Sequence, residues 1–147
     1  MRAAVCLFAI CLACPFVHAT QPVMRDWDSD GVLDLGVYDE WSGMWYMQRS
    51  TLGFLAQQFG YPGTLAVPGD YDGDGLVDKA LWDRYSGYWY IAGTSSGFYY
   101  FQFGFRGCIA WSPYWDWDNK VDPMLFFGGN WYVMGSAIGF RHYSFGW

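Results

Sequence analysis

The sequence predicts an all-β fold built from three repeated four-stranded units. The first observation is an acidic segment that occurs twice. Asp26-Trp27-Asp28-Ser29-Asp30-Gly31-Val32-Leu33-Asp34 returns 44 positions later as Asp70-Tyr71-Asp72-Gly73-Asp74-Gly75-Leu76-Val77-Asp78, and a worn third copy carries Asp116, Asp118 and Asp122. The second is that the repetition extends beyond the loops. Trp45-Tyr46, Gly53-Phe54 and Gln58-Phe59-Gly60 match Trp89-Tyr90, Gly97-Phe98 and Gln102-Phe103-Gly104 at offset 44, and Trp131-Tyr132, Gly139-Phe140 and Phe145-Gly146 follow at offset 42. The third is local. Short runs of Val, Leu, Ile and aromatic residues are broken by Gly, Pro, Asp and Ser, with no sustained helical period.

The units run 20–63, 64–107 and 108–147 and form one domain. In the second unit strands are expected at 65–67, 79–83, 88–92 and 99–103, with the acidic loop joining the first pair. Tyr85-Ser86-Gly87 turns the middle pair, as Trp41-Ser42-Gly43 does in the first unit. A period of this length implies stacked or radially arranged supersecondary units.

Residues 1–19 read as an export leader. Arg2 supplies the positive start, an apolar run follows, and Ala19 ends a small-residue cleavage site. Thr64 maps onto Thr20, so cleavage after Ala19 would leave whole repeats. The expected location is therefore extracellular or periplasmic. Lipid anchoring through Cys14 is the disfavoured alternative, since Cys11 stands where a leucine is usual. Cys6, Cys11 and Cys14 fall in the leader, so only Cys108 would remain, without an intrachain disulfide and packed as a small apolar residue.

The formal net charge is −6, and the acidic residues outside the three loops are only Asp39, Glu40 and Asp83. Such local acidity suits cations. No basic stripe offers itself to nucleic acid, and no apolar run after the leader is long enough to span a membrane.

Carboxylates at loop positions 1, 3, 5 and 9 with Gly at position 6 suit a hard cation, which takes about 6–8 oxygens. Solvated Asp-Gly turns without metal are the plain alternative. An EF-hand is excluded, because position 12 is Val37 or Leu81 rather than Glu, inside an apparent strand. In the third loop Tyr114 replaces the first carboxylate, Asn119 replaces the glycine, and the ammonium of Lys120 could take the place of a metal. Calcium is therefore expected in two loops, with a weaker third at Asp116, Asp118 and Asp122.

The segment Gly69-Asp70-Tyr71-Asp72-Gly73-Asp74-Gly75-Leu76-Val77-Asp78-Lys79-Ala80-Leu81-Trp82 resembles the FG-GAP/VCBS repeat of bacterial secreted proteins and integrin α-chain propellers. The following Ser86-Gly87-Tyr88-Trp89-Tyr90-Ile91 resembles the bacterial versions. The resemblance implies four-stranded propeller blades with calcium bound between the first two strands. It implies as ligands Asp26, Asp28, Asp30 and Asp34 with the carbonyl of Val32, and Asp70, Asp72, Asp74 and Asp78 with that of Leu76. Propellers have about 4–8 blades, whereas this chain supplies three repeats. A compact three-fold body of blade-like units, prism or trefoil, is the preferred arrangement. A ring completed by self-association and an open stack are the alternatives.

Aromatic residues make up 23% of the chain, enough to raise a sugar-binding reading. Trp45, Trp89 and Trp131 share one repeat position, as do Phe59, Phe103 and Phe145. Such equivalence is what a repeated core layer produces, so core packing is expected for them. Trp41 and Tyr85, beside the turns, are the better candidates for ligand contact, while Trp115, Trp117 and Trp147 are less regular. Catalysis is not expected: His142 is the only histidine after the leader, and Asp39 and Asp83 read as turn residues. The expected function is a secreted calcium-binding β-repeat module that binds a cell-surface or matrix protein or glycan. A small lectin and a self-assembling structural subunit, a homo-oligomer, are the alternatives.

Overall fold

Turn chemistry sets the strand boundaries. The structure, a computed structural model, describes residues 19–146. The expected leader, apart from Ala19, and Trp147 lie outside the described residues. β1 (Thr20–Pro22), β2 (Leu35–Asp39), β3 (Met44–Arg49) and β4 (Gly53–Gln58) form the first sheet. β5 (Thr64–Ala66), β6 (Lys79–Asp83), β7 (Tyr88–Gly93) and β8 (Gly97–Gln102) form the second, and β9 (Ile109–Trp111), β10 (Met124–Phe127), β11 (Asn130–Gly135) and β12 (Gly139–Ser144) the third. Every sheet is an antiparallel meander in chain order. The described residues contain no helix. The arrangement is the expected one of three blade-like repeats.

Asp39 and Asp83 hold the β2–β3 and β6–β7 turns. Asp39 accepts bonds from Trp41 N (3.0 Å) and Ser42 Oγ (2.7 Å), and Asp83 from Tyr85 N (2.8 Å) and Ser86 Oγ (2.6 Å). The glycine that follows each serine is required twice over. Gly43 and Gly87 have φ of +70° and +74°, and a Cβ there would lie 2.4 Å and 2.2 Å from the carbonyl oxygens of Gly60 and Gly104. Any side chain would push the end of the fourth strand away from the turn.

The core consists of two junctions with the second sheet between them. Val23, Tyr38, Trp45 and Met47 of the first repeat pack on Ala66 and Leu81 of the second. On the opposite face, Ala80, Trp82, Trp89 and Ile91 pack against Cys108, Val121 and Leu125 of the third. Consequently β6 is buried on both faces, whereas β2 alternates between buried and exposed. Polar contacts fix each junction. The Gln21 side chain exchanges bonds with Ala66 N and O (2.8 and 2.7 Å), Tyr38 Oη meets Thr64 Oγ1 at 2.5 Å, and Val121 N donates to Asp70 O at 2.7 Å.

No core cluster joins the first and third sheets among the described residues. The two junctions thus run from the first sheet to the second and from the second to the third. Residues 21–25, 66–68 and 110–113, in and just after the first strand of each repeat, line one cleft of about 470 Å³. The innermost strands thus face a shared axis, as in a propeller. The consequence for the aromatics is uneven. Trp45 and Trp89 are fully buried, but Trp131 is only half-buried and Phe145 is exposed, because among the described residues no sheet packs on that face of the third. All three indoles keep the same bond, donating to the carbonyls of Phe59, Phe103 and Phe145 at 2.7, 2.7 and 2.9 Å.

Trp89→Ala should lower unfolding free energy by about 3–5 kcal/mol, the usual cost of truncating a buried large aromatic. Trp41→Ala, at an exposed turn position, should cost less than about 0.5 kcal/mol. Urea unfolding monitored by circular dichroism distinguishes the two. Equal losses would contradict the core assignment.

Candidate metal centre

Each acidic loop leaves the end of an inner strand and returns to the second strand. Antiparallel bridges between Arg25 and Asp34 and between Gly69 and Asp78 pin the first two loops at their bases. Within them the first aspartate folds the chain around itself. Asp26 accepts bonds from Asp30 N (3.1 Å) and Gly31 N (2.8 Å), and Asp70 from Gly73 N (2.6 Å) and Gly75 N (2.8 Å). Gly31 and Gly75 adopt φ of +87° and +85°, and Asn119 takes the same left-handed turn at +65° in the third loop, as its residue type allows.

The ninth-position aspartate is the hub. Asp34, Asp78 and Asp122 are buried. One oxygen of each accepts the amide of Trp27, Tyr71 or Trp115 (2.8, 2.8 and 2.9 Å), which closes the loop. The other accepts the amide of Ser50, Thr94 or Ser136 at 2.7 Å, which ties the loop to the turn between the third and fourth strands. Burial pushes the Asp78 carboxyl above its ordinary range, against the Thr94 and Tyr71 amides that favour the charge.

The third-position aspartate receives the same turn. Asp28 Oδ2 accepts Thr51 N and Leu52 N (3.0 and 2.9 Å), Asp72 Oδ2 accepts Ser95 N and Ser96 N (3.0 and 2.9 Å), and Asp116 Oδ2 accepts Ala137 N and Ile138 N (3.0 and 3.3 Å). Burial opposes ionisation of Asp72, but the Ser96 and Ser95 donors outweigh it and hold the carboxyl at about 2. The opposite oxygen in each repeat, Oδ1 of Asp28, Asp72 and Asp116, is shut off from solvent and has no hydrogen-bond partner. An unmatched buried polar atom costs about 1–3 kcal/mol, and more when charged.

Carboxylate oxygens converge at two of these places. Asp26, Asp28 and Asp34 form one group and Asp70, Asp72 and Asp78 another, with ligand atoms within 4.8 Å of one another. Oxygens bound to calcium at about 2.3–2.6 Å lie within about 5 Å of each other, so the spacing fits a single ion. The all-oxygen donor set fits a hard cation. The amide bonds leave lone pairs free on the Asp26, Asp34, Asp70 and Asp78 oxygens.

Asp30 and Asp74 are not part of these groups. Asp30 accepts bonds from Val32 N (2.8 Å) and from the hydroxyls of Ser50 and Thr51, and Asp74 from Leu76 N (2.8 Å) and Thr94 Oγ1 (2.7 Å). These carboxylates brace the loop against the turn above it. Val32 and Leu76 lie on the exposed part of the loop. In the third repeat Asp116 and Asp122 keep their backbone partners, but Tyr114 supplies no carboxylate and the three acids do not converge. Nor does Lys120 simply fill that loop. Its stem crosses to the second one, where a Cβ on Gly73 would come within 2.9 Å of Lys120 Cε.

Trp41 and Tyr85, singled out for ligand contact, line one cleft of about 370 Å³ with Glu40, Gly63 and Arg84. Both rings are more than half exposed, and Arg84 Nη2 pairs with Glu40 Oε2 at 2.5 Å. Sequence reasoning missed the residues above the loops. Ser50, Thr94 and Ser136 carry a hydroxyl at one repeat position, a signal visible in the sequence. The amides of 51–52, 95–96 and 137–138 leave no side-chain signal.

Comparison with profiles of known protein families, with curated protein sequences and with solved structures found no match to this chain.

Any divalent-cation binding at the two convergent groups, calcium included, should weaken about tenfold or more in Asp28→Ala or Asp72→Ala, a difference of ~1.4 kcal/mol. Asp118→Ala, in the loop whose acids do not converge, should change it by less than about twofold. Titration calorimetry measures both. Equal effects would place a competent site in the third loop.

Proposed function

We propose that this protein is a secreted, non-catalytic β-repeat module that holds calcium in its first two acidic loops and presents the rigid body so formed to a cell-surface or matrix partner. The FG-GAP/VCBS resemblance agrees with this reading. The observation that carries it is the buried, unpartnered Oδ1 of Asp28 and Asp72, each set within a group of three convergent carboxylates. Burying anionic oxygens without a counter-charge is costly, and one divalent ion removes that cost at each site. Asp26, Asp28 and Asp34 would hold one ion, and Asp70, Asp72 and Asp78 the other. The carbonyls of Val32 and Leu76 and solvent would complete the shell, with Asp30 and Asp74 acting through the loop backbone. The ion's role is structural: it locks the inner strand of each blade to the turn between its third and fourth strands.

A cation that binds only the folded state stabilises it by about 2.7 kcal/mol at a concentration one hundred times Kd. For a domain of this size the melting temperature should rise by on the order of 10 °C when calcium is added to chelated protein. Titration should find close to two ions per chain. An unchanged melt at millimolar calcium would refute the reading.

The second reading, a small lectin, draws on the cleft shared by Trp41 and Tyr85. Two exposed rings beside a paired Glu40 and Arg84 combine flat apolar surface with hydrogen-bonding groups, which is what a sugar ring needs. Loss of glycan binding in Trp41→Ala and Tyr85→Ala, with the melt unchanged, would favour it. A panel of glycans that shows no binding to the unaltered protein would exclude it.

A further inference from the structure

We propose that two copies of this chain join head to tail into a single ring of six blades, the open face of the third sheet of one copy closing on the open face of the first sheet of the other. Repeat equivalence carries this assembly, independently of the calcium reading.

Each blade has two faces, and the second sheet shows what both are for. Its face toward the first sheet carries Leu81, which is 1% exposed; the residue at that position in the third repeat, Leu125, faces the second sheet and is also 1% exposed. The same position in the first repeat is Val37, 38% exposed, with no sheet packed on that face among the described residues. The other face behaves in mirror fashion. Val23 and Val67 are 4% and 6% exposed beneath the following sheet, while Trp111 at the same position of the third repeat is 43% exposed. The two ends of the arc are thus the two halves of a junction the molecule already makes twice.

The chemistry of these ends is that of a junction left open. Terminal units of a free-standing repeat array present polar outer faces. Here the first sheet exposes Leu35, Val37, Tyr46 and Phe54. The third has a wholly apolar hollow of about 510 Å³ lined by Pro113, Trp115, Met124, Trp131, Tyr143 and Phe145. Apolar surface of this extent marks an interaction site.

Geometry selects the occupant and the number. The first strands already line a shared axial cleft that is bounded on one side by the three repeats. Propellers close with about 4–8 blades, and six is the only multiple of three in that range. A second copy supplies a first-sheet face for the third sheet and a third-sheet face for the first. Both junctions are then identical and related by a two-fold axis.

The test is the molar mass of the purified protein by light scattering, with calcium present throughout so that the loops are filled. The expected result is twice the chain mass. Val37→Lys and Trp111→Glu, each at an exposed site of the single chain, should each yield monomer with the β-sheet circular dichroism spectrum retained. Should Trp111→Glu fail to fold, Tyr143→Glu on the same face replaces it. Mixing the two variants in equal amounts should restore the dimer, since one junction then keeps both native faces and the other sets Lys against Glu. A monomeric unaltered protein, a trimer, a dimer indifferent to either substitution, or a mixture that stays monomeric would each overturn the proposal.

Discussion

A carboxylate oxygen that is removed from water must meet a donor or a cation, and each repeat of this protein is arranged around one that meets no donor. Asp28, Asp72 and Asp116 spend one oxygen on two backbone amides and leave the other sealed and unmatched. Their neighbours Asp34, Asp78 and Asp122 spend both oxygens on amides from two different segments. These two aspartates tie the loop to the turn above the third and fourth strands. The inner strands are only three residues long, so their sheet pairing is weak and the loops do much of the work of placing them. Those strands line the axial cleft, so the loops that carry these bonds also fix the residues that border it.

The second layer of organisation is the sharing of the middle sheet. Trp82, Trp89 and Ile91 on one side and Leu81 on the other are fully buried, and both core clusters include residues of this sheet. The outer sheets each spend one face on it, and the opposite face of each leaves apolar residues such as Val37 and Trp111 exposed. Stability is therefore concentrated in the middle repeat, and the outer repeats lean on it. The best-formed carboxylate group with the deepest burial, at Asp70, Asp72 and Asp78, also belongs to that repeat. Core packing and the more deeply buried carboxylate group thus fall in one unit of the chain.

Much of this was legible in the residues. Loop spacing pointed to the two groups of convergent carboxylates, but it also counted Asp30 and Asp74, which lie outside them, and a third group that does not converge; in the second unit the third strand expected at 88–92 runs 88–93. Asp39 and Asp83 were read as turn residues and prove to hold their turns by accepting backbone and serine bonds. What escaped was whatever depends on the ends of the array. Trp131 repeats Trp89 in sequence but not in burial, because burial is conferred by the next sheet and not by the residue's own unit. For the same reason equal repeats imply equal junctions only when a ring closes. Lys120 is a further case. Its position in the loop suggested a role there, but a long flexible stem reaches the neighbouring loop, and linear spacing is blind to that crossing.

If the sealed oxygens of Asp28 and Asp72 are metal ligands, a high-resolution crystal structure of the protein grown in calcium should show one strong peak within each of the first two loops, about 2.3–2.6 Å from Oδ1 of Asp28 or Asp72 and from oxygens of the flanking first- and ninth-position aspartates. Oδ1 atoms that instead accept a bond from an ordered water or a protein donor, with no peak at that distance, would contradict that assignment.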